Sequence, residues 1–341
     1  MKRARIAVLF VLFFALLAPL YADFDDARLE AMGSIGIAVS DSRHPTVINP
    51  ASLYFSEDDH LFVLNGQYLD SFLFDSGESF PSLPTSGFNA SFIGKMISFS
   101  IGFDYNVELT GEGEGIKYYN IYQKSEIKLN LSAGIGNFSA GIGISGGSSK
   151  QRTSVPIHQN IAVADFFAQT FLTSYDSLLD SEFLQINLGL MFKTGGLAIG
   201  ILCDNILDNN GSKTTVSWDS FIAQTGIGIY YALDEYAKRG KLNLLNFSIG
   251  AEIKNAFTSE TRALSAGLEV GFMLAKNYGF YLRTGYQARF KAFDLGTHTI
   301  GLGAQLNNVD LYANLHVPVS LYRGLDNGDR FSLAVSFSVR I

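Results

Sequence analysis

Hydrophobic and polar residues alternate along the chain in repeated stretches from about residue 60 to the C-terminus. The clearest stretch is the last, Phe331 to Ile341, where the odd positions are apolar and the even positions are mostly Ser. Ile97 to Leu109 repeats the pattern. Strict alternation has the period of a β-strand, whose successive side chains point to opposite faces. Each stretch therefore predicts a strand with one apolar face and one small or polar face.

Fourteen such strands are predicted between turn signals. They cover 60–75, 86–94, 96–109, 116–135, 137–148, 182–193, 196–207, 214–231, 242–256, 261–274, 277–292, 296–306, 308–318 and 329–341. Tight turns such as Gly136-Asn137 join strands at one set of ends, and most longer links, including 76–85, 149–181 and 319–328, lie at the other. An even strand number with this asymmetry is typical of outer-membrane barrels.

Charge occurs almost only on the polar face of the predicted strands. The charged residues are Asp104, Glu108, Glu126, Lys128, Lys193, Asp204, Glu252, Lys254, Glu269, Arg283, Arg289, Lys291, Asp310 and Arg340. We therefore predict an all-β fold, a 14-stranded antiparallel transmembrane barrel with its apolar face toward lipid, because closure leaves no unpaired sheet edge in the membrane. A secreted soluble all-β protein, with its apolar face turned inward, is the alternative.

Composition agrees with a membrane barrel and excludes other classes. Of the 341 residues, 17% are charged, where soluble domains carry roughly a quarter. The net charge of −7 argues against nucleic-acid binding, which needs a basic surface. The one long apolar run is N-terminal, which excludes a bundle of membrane helices. Cys203 is the single cysteine, so an intramolecular disulfide is impossible.

The first 22 residues have the pattern of a secretory signal peptide. Lys2, Arg3 and Arg5 precede an apolar core at 6–17, and Ala22 ends a plausible cleavage site. We expect residues 1–22 to be removed on export and the mature protein to lie in the outer membrane of a diderm bacterium. An uncleaved signal anchor is the alternative.

Residues 23–59 do not alternate and carry a recognisable series of small motifs. In order these are Ala31-Met32-Gly33, Gly36, Ala38-Val39, Asp41, Pro45 and Asn49-Pro50-Ala51-Ser52-Leu53. The series resembles the hatch segment of the FadL-type family of outer-membrane transporters for long-chain fatty acids and other hydrophobic compounds. The resemblance implies a hatch at 23–59 inside a barrel at 60–341. It also implies gating roles for Asp41, Asn49, Pro50 and Ala51.

The function implied by this resemblance is passive uptake of hydrophobic molecules, with long-chain fatty acids as the expected ligand. Ligand would be captured at external loops, pass to a pocket in the barrel and leave sideways after the hatch shifts. A hatch that only seals the barrel would instead indicate a non-transporting surface or scaffold protein. A water-filled porin is the third reading. The expected partners are the hydrophobic ligand and outer-membrane lipid, and the expected state is a monomer.

Two groups of residues are candidates for ligand contact. The link at 149–181 contains a predicted amphipathic helix, from Ile161 to Leu179, with Phe167, Phe171 and Tyr175 on its apolar side. The resemblance implies that this loop forms a capture groove, although a simple lid has the same pattern. The short link at 208–213 departs from the family, where a second groove-forming loop is expected.

A fatty-acid carboxylate needs a partly desolvated cation as its partner. Four basic residues on the predicted lumen face are the candidates: Lys254, Arg283, Arg289 and Lys291. Salt bridges to Glu252, Glu269 or Asp104 are the alternative role. The five histidines are too scattered for a metal site, and no serine stands in a nucleophile elbow. We therefore expect no enzyme activity, no metal and no cofactor.

Overall fold

A computed structural model of the chain describes residues 27–39, 47–56, 60–72, 85–113, 116–158, 179–210, 213–233, 245–275, 278–290, 292–322 and 331–341. Several predicted features lie outside these ranges: the signal peptide, Asp41, Lys291, and the part of the amphipathic helix with Phe167, Phe171 and Tyr175. No helix in the described ranges is long and apolar enough to cross a membrane.

The described residues contain sixteen strands, fourteen of which close into one antiparallel barrel. The strands are β1 His60–Phe72, β2 Thr85–Gly94, β3 Ile97–Gly113, β4 Ile116–Ile135, β5 Phe138–His158, β6 Leu179–Thr194, β7 Leu197–Cys203, β8 Leu207–Asn210, β9 Lys213–Val216, β10 Thr225–Leu233, β11 Leu245–Lys254, β12 Ala263–Ala275, β13 Tyr278–Arg289, β14 Ala292–Leu306, β15 Val309–Pro318 and β16 Phe331–Arg340. Strands β8 and β9 form a separate hairpin between β7 and β10. The barrel closes where β1 pairs with β16. The predicted fold class and strand number are confirmed.

Most of the short turns share one edge of the barrel, the short-turn rim, and most of the longer links share the opposite edge, the long-link rim. β1 begins and β16 ends at the short-turn rim, since His60 pairs with Gly94 and Arg340 with Val63. Gly136 and Gly195 turn the chain there in the left-handed region, at φ +58° and +54°, which glycine adopts without strain.

The strand faces follow the predicted polarity. Large apolar side chains on the outer face are exposed, among them Phe99, Phe103, Ile127, Leu131, Ile199, Ile227, Ile249, Leu282, Ile300 and Leu302. The inner face buries polar groups, among them Asn65, Asn89, Asp104, Asn130, Asn187, Glu252, Glu269, Arg283, Asp310 and Asn314. An apolar belt around a polar interior suits a barrel that lipid surrounds. It excludes the soluble alternative, in which the apolar face would be buried.

The prediction of one barrel strand at 214–231 is wrong from 214 to 224, because only β10 belongs to the barrel. The chain instead forms β9, a helix at Trp218–Ala223 and then β10. Ser217 caps this helix, because its side chain accepts a hydrogen bond from the backbone N–H of Ser220 at 3.2 Å. Strand β9 therefore ends directly before a helix cap. Elsewhere strands are longer than predicted, since β5 runs on to His158 through part of the 149–181 link.

Candidate site inside the barrel

The described part of residues 23–59 lies within the barrel lumen. It consists of 27–39 and 47–56, called here the N-terminal segment, and includes a helix at Ala27–Ala31 and a 3-10 helix at Pro50–Phe55. Its apolar side chains form a buried cluster with Tyr230 of β10; the members are Leu29, Met32, Ile35, Ala38 and Val39. A second buried cluster joins Leu53 to Val63 of β1 and Ile93 of β2. The segment thus contacts opposite sides of the inner wall.

Glycines on the inner face allow the backbone of the N-terminal segment to touch the wall directly. A Cβ placed on Gly267 would lie 2.1 Å from the carbonyl oxygen of Met32. One on Gly285 would lie 2.0 Å from the amide nitrogen of Gly33. Such distances leave no room for any side chain. These glycines of β12 and β13 therefore determine where the segment sits.

A buried ionic cluster connects the N-terminal helix to β12 and β13. The Arg28 guanidinium donates through Nε and Nη2 to the two carboxylate oxygens of Glu269, at 2.7 and 2.8 Å. Arg283 Nε donates to the same carboxylate at 2.7 Å, and Arg28 Nη2 also donates to the hydroxyl of Tyr230 at 3.2 Å. The three charged side chains are at most 2% exposed. Bidentate pairs between arginine and a carboxylate are among the strong hydrogen bonds in proteins, and they also fix the relative orientation of the two side chains.

Glu252 of β11 supplies a second attachment. One carboxylate oxygen accepts hydrogen bonds from the backbone N–H groups of Gly36 and Ile37, at 2.7 and 2.9 Å. The other oxygen lies 3.5 Å from Lys254 Nζ. Glu252 therefore links a turn of the N-terminal segment to a lysine on the wall.

Asn49, a predicted gating residue, holds two parts of the N-terminal segment together. Its amide nitrogen donates to the Ile37 carbonyl at 2.7 Å and, at longer distance, to the Leu190 and Ile201 carbonyls of the wall. Its side-chain oxygen accepts from the N–H of Ala51 and so caps the 3-10 helix. The side chain is 1% exposed. The structure therefore places Asn49 where a change would affect both parts at once.

Pro50 and Ala51, the other two described gating candidates, lie against the wall at β5. A Cβ on Gly141 would lie 2.5 Å from the Ala51 nitrogen and equally close to the Pro50 carbonyl carbon. Ser139 donates to the Ala51 carbonyl at 2.8 Å. These contacts place the Asn49-Pro50-Ala51 motif in the lumen.

A cavity of about 350 Å³ lies between the N-terminal segment and the wall. Ile37 and Ile48 of the segment line one side. The wall contributes acidic, amide and basic groups from β2, β3, β4, β6 and β11 and from the residues next to the ends of β7, β10 and β11; they are Asn89, Asp104, Lys124, Glu126, Lys128, Gln185, Asn187, Asp204, Gln224, Lys254 and Asn255. Leu202 adds a further apolar side chain. A ligand with an ionised head group and an apolar body would find both kinds of partner here.

Three lysine ammonium groups reach this cavity, and each also has a partner in the protein. Lys124 Nζ lies 3.2 Å from the Glu126 carboxylate, and Lys128 Nζ donates to the Val47 carbonyl at 3.1 Å. Lys254 pairs with Glu252, as described above. Lys128 thus connects the cavity wall to the N-terminal segment, and Lys254 connects it to Glu252, which binds that segment.

Three of the four basic candidates lie within the described residues, and they occupy different places. Lys254 lines the cavity, whereas Arg283 is buried in the ionic cluster and Arg289 is exposed at the long-link end of β13. Lys124 and Lys128 were not among the candidates, although alternation places Lys128 on the lumen face. Alternation indicates which face of a strand a residue occupies, but not which residues of other strands lie at the same level along the barrel axis. In the described ranges no three or more His, Cys, Asp or Glu residues are grouped to hold a metal ion.

No family model matches this sequence, and no curated protein matches it. Solved structures do match the fold. The CymD monoaromatic hydrocarbon channel is 10% identical with a TM-score of 0.58, over 93% of this chain and 97% of that one. The Pseudomonas putida toluene transporter TodX is 12% identical with a TM-score of 0.57, over 94% and 98%. A Pseudomonas aeruginosa FadL homologue is 11% identical with a TM-score of 0.53, over 95% and 99%. The chain therefore has the 14-stranded barrel fold of the FadL-type hydrophobic-compound channels, which its N-terminal motifs resembled.

Proposed function

We propose that the chain carries hydrophobic small molecules passively across the outer membrane, and that its ligands are long-chain fatty acids. The observation that carries this proposal is the cavity beside the N-terminal segment, whose lining combines three lysines and three carboxylates with Ile37, Ile48 and Leu202. The similar structures named for toluene and monoaromatic hydrocarbon transport support hydrophobic uptake in general. The signal peptide and the outer-membrane location, with the long-link rim facing outward, belong to the same proposal.

The choice of a fatty acid rests on the charges of the cavity. A neutral hydrocarbon gains nothing from an ammonium group, whereas a carboxylate entering a partly buried site needs one. The cavity volume lies near the lower end of the range for ligand pockets, about 300–1,000 Å³. We therefore place the head group and the first part of the acyl chain here, against Ile37 and Ile48.

Replacing Lys128 or Lys254 with Gln is expected to weaken oleate binding. A hydrogen bond to a charged group contributes about 1.5 kcal/mol or more, so we expect about tenfold weaker affinity for each variant. The measurement is a titration of oleate into the detergent-purified protein. Lys193→Gln is the matched control, since Lys193 lies over the Phe55 ring and does not line the cavity. Oleate methyl ester should bind all four proteins alike. Equal oleate affinity in all four would contradict the head-group assignment.

Passage requires the N-terminal segment to move, and a reversible disulfide tests this. A Cβ on Gly228 would lie 3.4 Å from the Ala38 Cβ, close to the roughly 3.5–4.5 Å between the Cβ atoms of a disulfide. We expect cells producing the Ala38→Cys/Gly228→Cys variant to lose labelled-oleate uptake when oxidised and to regain it with a reductant. The Ala38→Cys and Gly228→Cys proteins, each with one introduced cysteine beside the buried native Cys203, are controls that should respond to neither treatment.

Uptake that is unchanged in the oxidised double variant would overturn the gating role. The non-transporting alternative predicts no uptake in any of these proteins, together with a stable protein partner on purification. A porin predicts steady ion conductance by the wild-type protein in planar bilayers, and a closed baseline would exclude it.

A further inference from the structure

The helix Trp218–Ala223 packs on the outer, lipid-facing side of the barrel at the long-link rim. Along β7 and β10 the outward positions Ile199, Ile201 and Ile227 are exposed. At the long-link rim the next outward positions are Cys203 on β7 and Thr225 on β10, and these two residues pair with each other. Their side chains are nevertheless buried, with exposed fractions of 2% and 5%. Something must therefore cover the outer face of the sheet at this point.

The helix provides that cover. The Thr225 hydroxyl donates to the Phe221 carbonyl at 2.5 Å, and the Cys203 thiol donates to the same oxygen at 3.6 Å. The β11–β12 turn supports the helix from the side, because the Thr258 hydroxyl donates to the Ala223 carbonyl at 3.3 Å. These contacts fix the helix on the exterior of the barrel and away from the lumen.

On and beside the helix are large apolar residues that the described parts of the chain leave exposed. Trp218 is 76% exposed, Ile222 49%, Val216 of β9 68% and Phe257 of the β11–β12 turn 61%. These four residues are called here the outer ledge. Exposed apolar clusters of this kind mark membrane or protein contact sites.

We infer that the outer ledge inserts into the interfacial layer of the external lipid leaflet. The ledge continues the exposed apolar rows of β7, β10 and β11, which end at Ile201, Ile227 and Ile253. Tryptophan favours the membrane interface, where its ring is in apolar surroundings and its N–H stays near water. Amphipathic helices that lie on a membrane surface bury their apolar face about 5–10 Å deep. The inference rests on the proposed outer-membrane location, with the long-link rim facing outward, and is independent of the ligand.

Trp218 is the single tryptophan of the chain, so its fluorescence reports on this site without any substitution. The experiment reconstitutes the full-length protein in phosphatidylcholine vesicles whose acyl chains carry bromine at shallow, middle or deep positions. We expect the strongest quenching from the shallow bromines and weak quenching by aqueous acrylamide. Full acrylamide access without bromolipid quenching would overturn the inference, and so would strongest quenching by the deepest bromines.

A second variant calibrates the depth. In the Trp218→Phe/Phe99→Trp protein the tryptophan lies on the outer apolar face of β3, where bromolipid must quench it if the barrel is inserted. Varying the protein-to-lipid ratio separates lipid from a second copy of the chain. Quenching of Trp218 that is independent of this ratio supports the lipid contact. Loss of quenching as the protein becomes more concentrated would assign the ledge to protein association and overturn the inference.

Discussion

Replacement of Glu269 by Gln is expected to lower the free energy of unfolding by about 3–5 kcal/mol and to detach the N-terminal helix from the wall. Glu269 is the shared carboxylate between Arg28 and Arg283, and all three are buried. Without its charge, two guanidinium groups would lie close together in a site that excludes water. The cost is therefore that of a broken buried ion pair with an added repulsion between like charges.

Equilibrium unfolding in guanidinium chloride measures the change in free energy, and planar-bilayer recording shows whether the lumen begins to conduct. Glu126→Gln is the matched control, because its pair with Lys124 is also in the lumen but is about a quarter exposed. That pair should contribute about 0–1 kcal/mol. Arg28→Met leaves Arg283 and Glu269 paired, so it should release the helix at a smaller cost to the barrel. Equal losses for Glu269→Gln and Glu126→Gln would refute the role of the cluster.

Adding one methyl group at Gly285 is expected to displace the N-terminal segment. The new Cβ of Gly285→Ala would lie 2.0 Å from the Gly33 nitrogen and 2.2 Å from the Met32 carbonyl carbon. Both neighbours are backbone atoms, so a change of rotamer cannot relieve the clash. Overpacking of this kind costs about 1–3 kcal/mol, and the strain falls on the contact between segment and wall.

Ion conductance and protease access to the N-terminal segment should both rise in the Gly285→Ala protein. Gly146→Ala is the control on β5, where the nearest atom to an added Cβ is the Phe183 carbonyl oxygen at 3.5 Å, an ordinary contact distance. The control should conduct no more than the wild-type protein. Two variants that remain closed would show that the segment tolerates a shift at this position.

The sequence predicted the barrel well because the membrane imposes one rule on every strand. A lipid-facing position must be apolar, so alternation shows both the strand and the face of residues such as Ile97 and Glu269. The rule fails where the chain leaves the sheet. Residues 213–216 do form a strand, β9, but it lies outside the barrel, and Ser217 directly after it caps a helix.

The candidate site was harder to predict, because it depends on contacts between distant parts of the chain. Arg28 stands in a segment without periodicity, and its partner Glu269 is 241 positions away. Lys254 was found because a cation on the lumen face is visible in the pattern. Lys124 lines the same cavity as Lys254 because β4 and β11 place the two side chains at the same level along the barrel axis. That level depends on strand register and tilt and not on local sequence.

The pairing of β1 with β16 has a consequence for the order of assembly. Its ten residue pairs join positions as far apart as Val63 and Arg340, so this ladder carries the largest loop-closure entropy of the sheet. The N-terminal segment directly precedes β1, and it docks on β12 and β13, which are made late in synthesis. Seam formation and docking must therefore both wait for the C-terminal third of the chain. We expect a slow, highly non-local folding reaction in which the lumen is filled as the wall closes.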